Sequence, residues 1–426
     1  MRAFPDIAAA VRRSYERDLG GVGAFLPPLV PVTDLPAPLA PYLEACAELP
    51  SRYPRGCGGV RAWLDGEFRR DDPMVRRAIA RLDEGESDAL MTALCALAHT
   101  YRWGSVPPEP ERFDEGWIPL PAGIAGPWGA VARKLDRPRV GSAWNFHLTN
   151  WQMAGRPGGS RYRPEELTRS TVRIARTWLG PPIDAQLEAF SVAFVLMEAQ
   201  GALVLRAIVE AIEAAAGGGV DEAVAALGRL QEAIAAMTLG FSMNVRRRTV
   251  DPSVWLELIQ PTFAWAAYGD DPARLEGGPS GMQLGTVHAL DAAMGVRGRS
   301  VLAQLGASAR LHMPRRHREF LTTLDCGGPL LRTFVAGAGC PELSSRFDGC
   351  VAALGSFRVT HRARGAQYLR HRPAGEVPRA STGLTIGVDD DAGCTFDRTM
   401  SARIEETQAA ALRPGRQRGF AMPHRS

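Results

Sequence analysis

Apolar residues recur every three to four positions in long blocks through the middle and end of the chain, over residues 183–215, 220–237, 252–268, 285–294 and 345–368. That period is the turn of an α-helix, so each block predicts a helix with one face in a core. Glycine-rich breaks at 217–219 and 269–281 separate them. A further helix is predicted over 400–412. Before about residue 140 the pattern is different. Pro27, Pro28, Pro31, Pro36, Pro38 and Pro41 interrupt it early, and Pro107, Pro108 and Pro110 do so again. Proline fixes φ and removes a donor, so short helices, with a minor strand or two, are expected there. The predicted fold class is all-α. A small irregular N-terminal domain (1–140) precedes a large helical domain (141–412), which contains a mobile lid-like loop (372–399) and is followed by a basic tail (413–426).

Composition narrows the picture only slightly. With 45% hydrophobic residues in 426, the chain can fill a large core. The net charge of +4 arises from 50 basic and 46 acidic side chains spread without a long single-sign block, which argues against nucleic-acid binding. The apolar block at 183–215 is interrupted by Glu188, Glu198 and Arg206, so a buried helix is expected there rather than a membrane span. The first fifteen residues lack the apolar run of a secretory signal. The seven cysteines are odd in number and contain no Cys-x-x-Cys pair. A cytoplasmic, reducing location fits best.

The common catalytic signatures are missing: no His-Glu-x-x-His, no Gly-x-Ser-x-Gly, no phosphate loop with its lysine. Chemistry would then come from a cofactor or an unusual site. The informative segment is 345–368. Phe347, Cys350, Val351, Leu354, Phe357, Arg358 and His361 share one helical face, so His361 projects from the side that enters the core. A histidine there is either a satisfied core residue or a ligand. Arg358, one turn earlier, is placed to pair with a carboxylate such as a haem propionate. Gly365, one turn later, leaves space beside the imidazole.

The run from Phe347 to His361 (FDGCVAALGSFRVTH) resembles the proximal-histidine helix of indoleamine 2,3-dioxygenases, including the arginine three residues before the ligand. Met313-Pro314-Arg315-Arg316-His317-Arg318-Glu319-Phe320-Leu321 is similar to the family's Met-Pro-x-x-His-Arg-x-Phe-Leu segment. Gly277-Gly278-x-x-Gly281, followed by Asp291 and Gly295, resembles its glycine loop and following helix. The resemblance spans roughly 97–412. It implies haem held by His361, with Arg358 and Ser280 beside it. Non-covalent haem b is expected, because no Cys-x-x-Cys-His attachment motif exists. It further implies a reaction that inserts both atoms of dioxygen, as co-substrate, across the C2=C3 bond of an indole or tryptophan-derived small molecule. The protein then supplies orientation and a dry pocket. An external reductant is a further partner this chemistry admits.

The pocket residues depart from the family pattern. Its carboxylate-gripping arginine is replaced by Gln260 in the segment that also carries Trp255 and Leu256. Glutamine offers only neutral hydrogen bonds, so specificity should shift away from free L-tryptophan. Counting back from Asn150-Trp151 places Phe146 and His147 on the distal side. An imidazole there can donate to oxygen, take the indole proton or ligate iron, or it is a polar residue at a helix edge. Phe190 and Phe194 are the matching aromatic positions, with core packing as the alternative. Gly278 and Thr385 complete the expected substrate contacts, Thr385 within a Thr-Gly-Leu-Thr version of the family's Thr-Gly-Gly-Thr lid. Three functions compete: an indole dioxygenase with altered specificity, a related haem enzyme performing monooxygenation or ring rearrangement on a tryptophan derivative, and a non-catalytic haem or gas-binding protein.

Overall fold

The structure is a computed structural model that describes residues 4–53, 59–107, 116–265, 267–268, 275–369 and 392–412. It is built almost wholly of helices: α1 Phe4–Asp18, α2 Ala40–Arg52, α3 Gly59–Glu67, α4 Pro73–Arg81, α5 Glu84–Trp103, α6 Ala122–Leu135, α7 Ile183–Gly217 and α8 Val220–Asn244. The single turns α9 Pro252–Val254 and α10 Gln260–Phe263 follow. Then come α11 Gly285–Met294, α12 Val301–Arg310, α13 Arg315–Gly337, α14 Pro341–Leu369 and α15 Ala392–Gln408. The helical blocks read from the sequence are found, with differences at their ends: α8 runs on past the expected Met237 to Asn244, and α14 starts at Pro341 ahead of the expected Ser345. The block at 252–268 ends at Phe263. The final helix begins at Ala392 and stops at Gln408, ahead of the expected 400–412.

Local sequence explains the ends of the longest elements. Asp83 caps α5 by accepting from Glu86 N while the Glu86 side chain accepts from Asp83 N, and Gly104, at φ 70°, closes the helix. Gly218, at φ 73°, ends α7 in the same left-handed conformation and lets α8 fold back alongside it. α7 is long and apolar enough to cross a membrane by composition, but most of it is buried inside the protein. Among the described residues the strands form two short antiparallel pairs, Trp151–Met153 with Val172–Ile174 and Ala267–Tyr268 with Leu275–Glu276. Both lie outside the N-terminal region where minor strands were expected.

Two apolar cores form. One gathers α7, α8, α11, α13 and α14; the other gathers α2 to α6 together with Phe146, Trp178, Trp255, Phe263 and Tyr368. The first helix departs from the expected boundary. Ala8 and Val11 of α1, and then Leu19 to Val30, join the large core rather than the small one. The reason is visible in α1 itself: Val11 packs over Gly327 of α13, and Arg12 pairs with Glu213 of α7, Nε to Oε1 at 2.7 Å. The buried residues of the second core therefore begin only at Leu39.

One buried carboxyl sets the position of α11. Glu198, fully buried in α7, accepts from Thr286 N and Thr286 Oγ1 in the first turn of α11. Burial pushes its pKa up to about 7, outweighing those hydrogen bonds. A carboxyl raised in the folded state binds its proton there while the unfolded chain has already released it. This group therefore lowers stability progressively as pH rises from about 4.5 to about 7, and its effect is constant above that. We expect Glu198→Gln to remove this contribution: the difference in unfolding free energy between the two proteins should vary between pH 4.5 and 7 and level off above. Parallel denaturation curves across that range check it; a constant difference would contradict it.

Candidate active site

The site lies at the seam of the two cores. Trp144–Leu148 and Trp255–Ile259 are both π-helical turns, each with one residue more per turn than its neighbours. Such widened turns re-aim side chains and recur at functional sites. The first carries His147 and the second begins with Trp255. These two side chains, with Phe190, Phe194, Phe263 and the Pro279–Gly281 loop, line a narrow, mainly aromatic space.

The wall is tightly coupled. The His147 ring stacks on Phe194 at 4.3 Å between centroids and meets Phe263 edge-on at 5.0 Å. Phe190 lies 4.1 Å from Trp255. His147 Nδ1 is 3.0 Å from Ser191 Oγ, which fixes the ring plane. Ser191 and Phe194 come from adjacent positions of α7, so one helix supports both the face and the edge of the imidazole. Burial lowers the His147 pKa to about 3, so the ring is neutral at physiological pH.

The glycine loop approaches this wall along its backbone. A Cβ on Gly278 would lie 2.1 Å from the Phe263 carbonyl oxygen, and Ser280 caps the following turn by accepting from Met282 N at 3.2 Å. We expect Gly278→Ala to push the loop off Phe263, costing about 1–3 kcal/mol by overpacking and enlarging the aromatic space. Thermal unfolding and ligand titration test this; an unchanged melting temperature with unchanged affinity would contradict it.

His361 stands on the buried face of α14 that the periodicity predicts. Phe347, Cys350, Val351, Leu354, Phe357 and Arg358 are all buried. Phe241, Phe357 and Phe396 surround the imidazole at 5.8 to 6.4 Å between centroids. Burial, then the nearby Arg358 charge, lower its pKa to about 4. No hydrogen bond links the His361 ring to any described residue, although the ring keeps some accessible surface. A neutral imidazole with its lone pair unclaimed fits an axial ligand of haem iron. Two turns along the same face, Tyr368 meets Trp255 of the cavity wall, at 6.4 Å. The helix that carries His361 is thereby fixed against the aromatic space.

Several predicted residues have other placements. Arg358 finds a carboxylate, but it is Asp291 of α11, and its second terminal nitrogen donates to Thr407 of α15. In this structure Arg358 thereby cross-links α14 to α11 and α15. Phe146 and Leu256 are absent from the cavity lining. The first π-turn sends Phe146 toward His99, Trp178 and Phe263 in the small-domain core, and Leu256 packs against that same core. Gln260 is buried and also away from the lining. The space expected beside Gly365 is taken by the Phe396 ring, 2.6 Å from where a Cβ would stand. Thr385 lies outside the described residues. Phe263 and Pro279 line the cavity without having been singled out from sequence. Phe263 was concealed in an unbroken apolar block, and the adjacent Gly277–Gly281 loop was the only signal for Pro279.

Comparison with known proteins agrees with this geometry. Residues 18–381 match the family described as indoleamine 2,3-dioxygenase. The chain belongs to the indoleamine 2,3-dioxygenase family. It is 25% identical over 340 residues to indoleamine 2,3-dioxygenase 2 of Mus musculus, covering 76% of this chain and 79% of that one. It is 23% identical over 366 residues to the 6-hydroxytryptophan 2,3-dioxygenase fscD of Fusarium equiseti (81% and 82%). Indoleamine 2,3-dioxygenase acdA of Aspergillus candidus is 24% identical over 373 residues (81% and 85%). The all-α architecture agrees with membership, and this indoleamine 2,3-dioxygenase family member is a haem-dependent dioxygenase of indole substrates.

Proposed function

We propose that the protein binds haem b through His361 and dioxygenates an indole whose side chain carries no free carboxylate. The observation that carries this reading is the lining of the aromatic space: among the described residues it contains no arginine or lysine. A carboxylate brought there would lose its hydration without gaining a charge-assisted partner. Gln260, at the position of the family's arginine, is buried off the wall and supplies no cation. The relative named for 6-hydroxytryptophan supports the view that members of this family differ in the indole they accept.

Haem, when bound, supplies the binding and activation of dioxygen. The chain's own residues orient and dry the reactants. Phe190, Phe194, Trp255 and Phe263 hold a flat aromatic ring by stacking and edge contacts and exclude water. His147, neutral and held at Nδ1 by Ser191, directs its other nitrogen toward the reacting ring, where it accepts the indole N–H.

Titration of the Soret band of the haem-loaded protein with L-tryptophan and with L-tryptophan methyl ester tests the specificity. The ester should bind at least tenfold more tightly, the consequence of an unpaired charge in one ligand and not in the other. Equal or tighter binding of L-tryptophan would overturn the assignment.

A further inference from the structure

A second concavity, of about 340 Å³, lies between the two cores. It is bounded by the N-terminus of α5, the C-terminus of α6 and the N-terminus of α13, and its lining includes Lys134, Arg137, Arg315 and Arg316. Three carboxylates also line it, and each already has a donor. Glu84 pairs with Arg316, Asp136 pairs with Arg318, and Asp83 caps α5. The N-terminus of α13 has no side-chain cap, so its first amides carry partial positive charge without compensation.

The floor of this cleft holds buried donors without acceptors. Arg137, more than nine-tenths buried, gives one terminal nitrogen to Asp88 at 2.6 Å, but its Nε has no partner. Arg316 Nε is buried and unpartnered as well, and Trp144 Nε1, which lies behind the lining rather than on it, is another such donor. The three belong together: the Arg137 and Arg316 guanidinium carbons lie 5.6 and 6.0 Å from the Trp144 ring centroid. Guanidinium and indole nitrogens only donate, so the group that completes them must be an acceptor.

We propose that this interdomain cleft binds an oxyanion, the phosphate or carboxylate group of a small molecule, on Arg137 and Arg316 with Lys134 at its mouth. The site is distinct from the aromatic space but abuts the back of the turn that carries His147, because Trp144 begins that turn. An occupant would tie α6 of the small domain to α13 of the large one.

Calorimetric titration of the haem-loaded protein with sodium phosphate and with sodium succinate, against chloride at equal ionic strength, tests this. At least one oxyanion should give saturable binding that chloride does not. Preference for phosphate identifies a phosphorylated ligand and preference for succinate a carboxylate ligand. Arg137→Lys retains a cation for Asp88 but removes the Nε donor, and Lys134→Gln changes only an exposed side chain; each should weaken binding at least tenfold. Lys134 is the only lysine in the sequence. Its acylation by an N-hydroxysuccinimide ester in the unaltered protein should therefore be slowed by the same anion, read by mass spectrometry of the proteolytic peptide that contains Lys134. No saturable binding beyond chloride, or full binding retained in both variants, would overturn the proposal.

Discussion

Replacing His361 with Ala is expected to abolish haem retention, or to leave a ferric spectrum without a histidine ligand, while the helical content of the protein stays unchanged. The side chain makes no hydrogen bond to a described residue, and its neighbours are phenylalanine rings, so its loss deprives the fold of little beyond packing. Haem held by His361 as proposed would, in contrast, lose its histidine nitrogen. Far-ultraviolet circular dichroism and the Soret absorbance of the purified variant separate the two effects. A variant with a normal Soret band would mean that a different residue ligates the iron. Added imidazole should restore part of the histidine-ligated spectrum if the cavity left at 361 admits it.

The second large effect is expected at Asp291. Its carboxylate joins Arg358 of α14 to Arg403 of α15, and Arg403 also reaches Glu406, which in turn accepts from Ser300 at the start of α12. Both arginines are largely buried, so Asp291→Ala would leave Arg358 with only neutral direct partners and Arg403 with Glu406 alone. Removing one partner of a buried ion pair costs about 3–5 kcal/mol. Urea unfolding should show that loss, and Asp291→Asn, which keeps the shape and an acceptor oxygen, should lose less. A loss below about 1 kcal/mol in the alanine variant would mean that water already compensates the arginines. Because Arg358 stands one turn from His361, the alanine variant is also expected to retain haem less firmly.

The sequence made the helices legible because their apolar period persists over many turns. α11 matches its predicted limits and the buried face of α14 matches residue by residue, from Phe347 to Arg358. What the sequence did not show follows from its one-dimensional nature. Nothing in the pattern around Phe146 or Leu256 signals a π-turn, and a single extra residue in a turn rotates the following side chains by about 100°. Phe146 accordingly turns toward His99 and Trp178, whereas its neighbour His147 lines the aromatic space. Arg358 was correctly read as seeking a carboxylate. Which carboxylate it meets depends on Asp291, 67 residues away, and no local rule links the two. The first helix was assigned to the small domain by proximity in sequence, whereas its apolar face meets α7 and α13 in space.

The most direct test of the account is product analysis after a single turnover of the reduced, haem-loaded protein with L-tryptophan methyl ester under isotopically labelled dioxygen. Mass spectrometry should find both labelled oxygen atoms in one ring-opened product, and none introduced from water before exchange. A product carrying one labelled oxygen with the indole ring intact would contradict dioxygenation and reassign the site to monooxygenation.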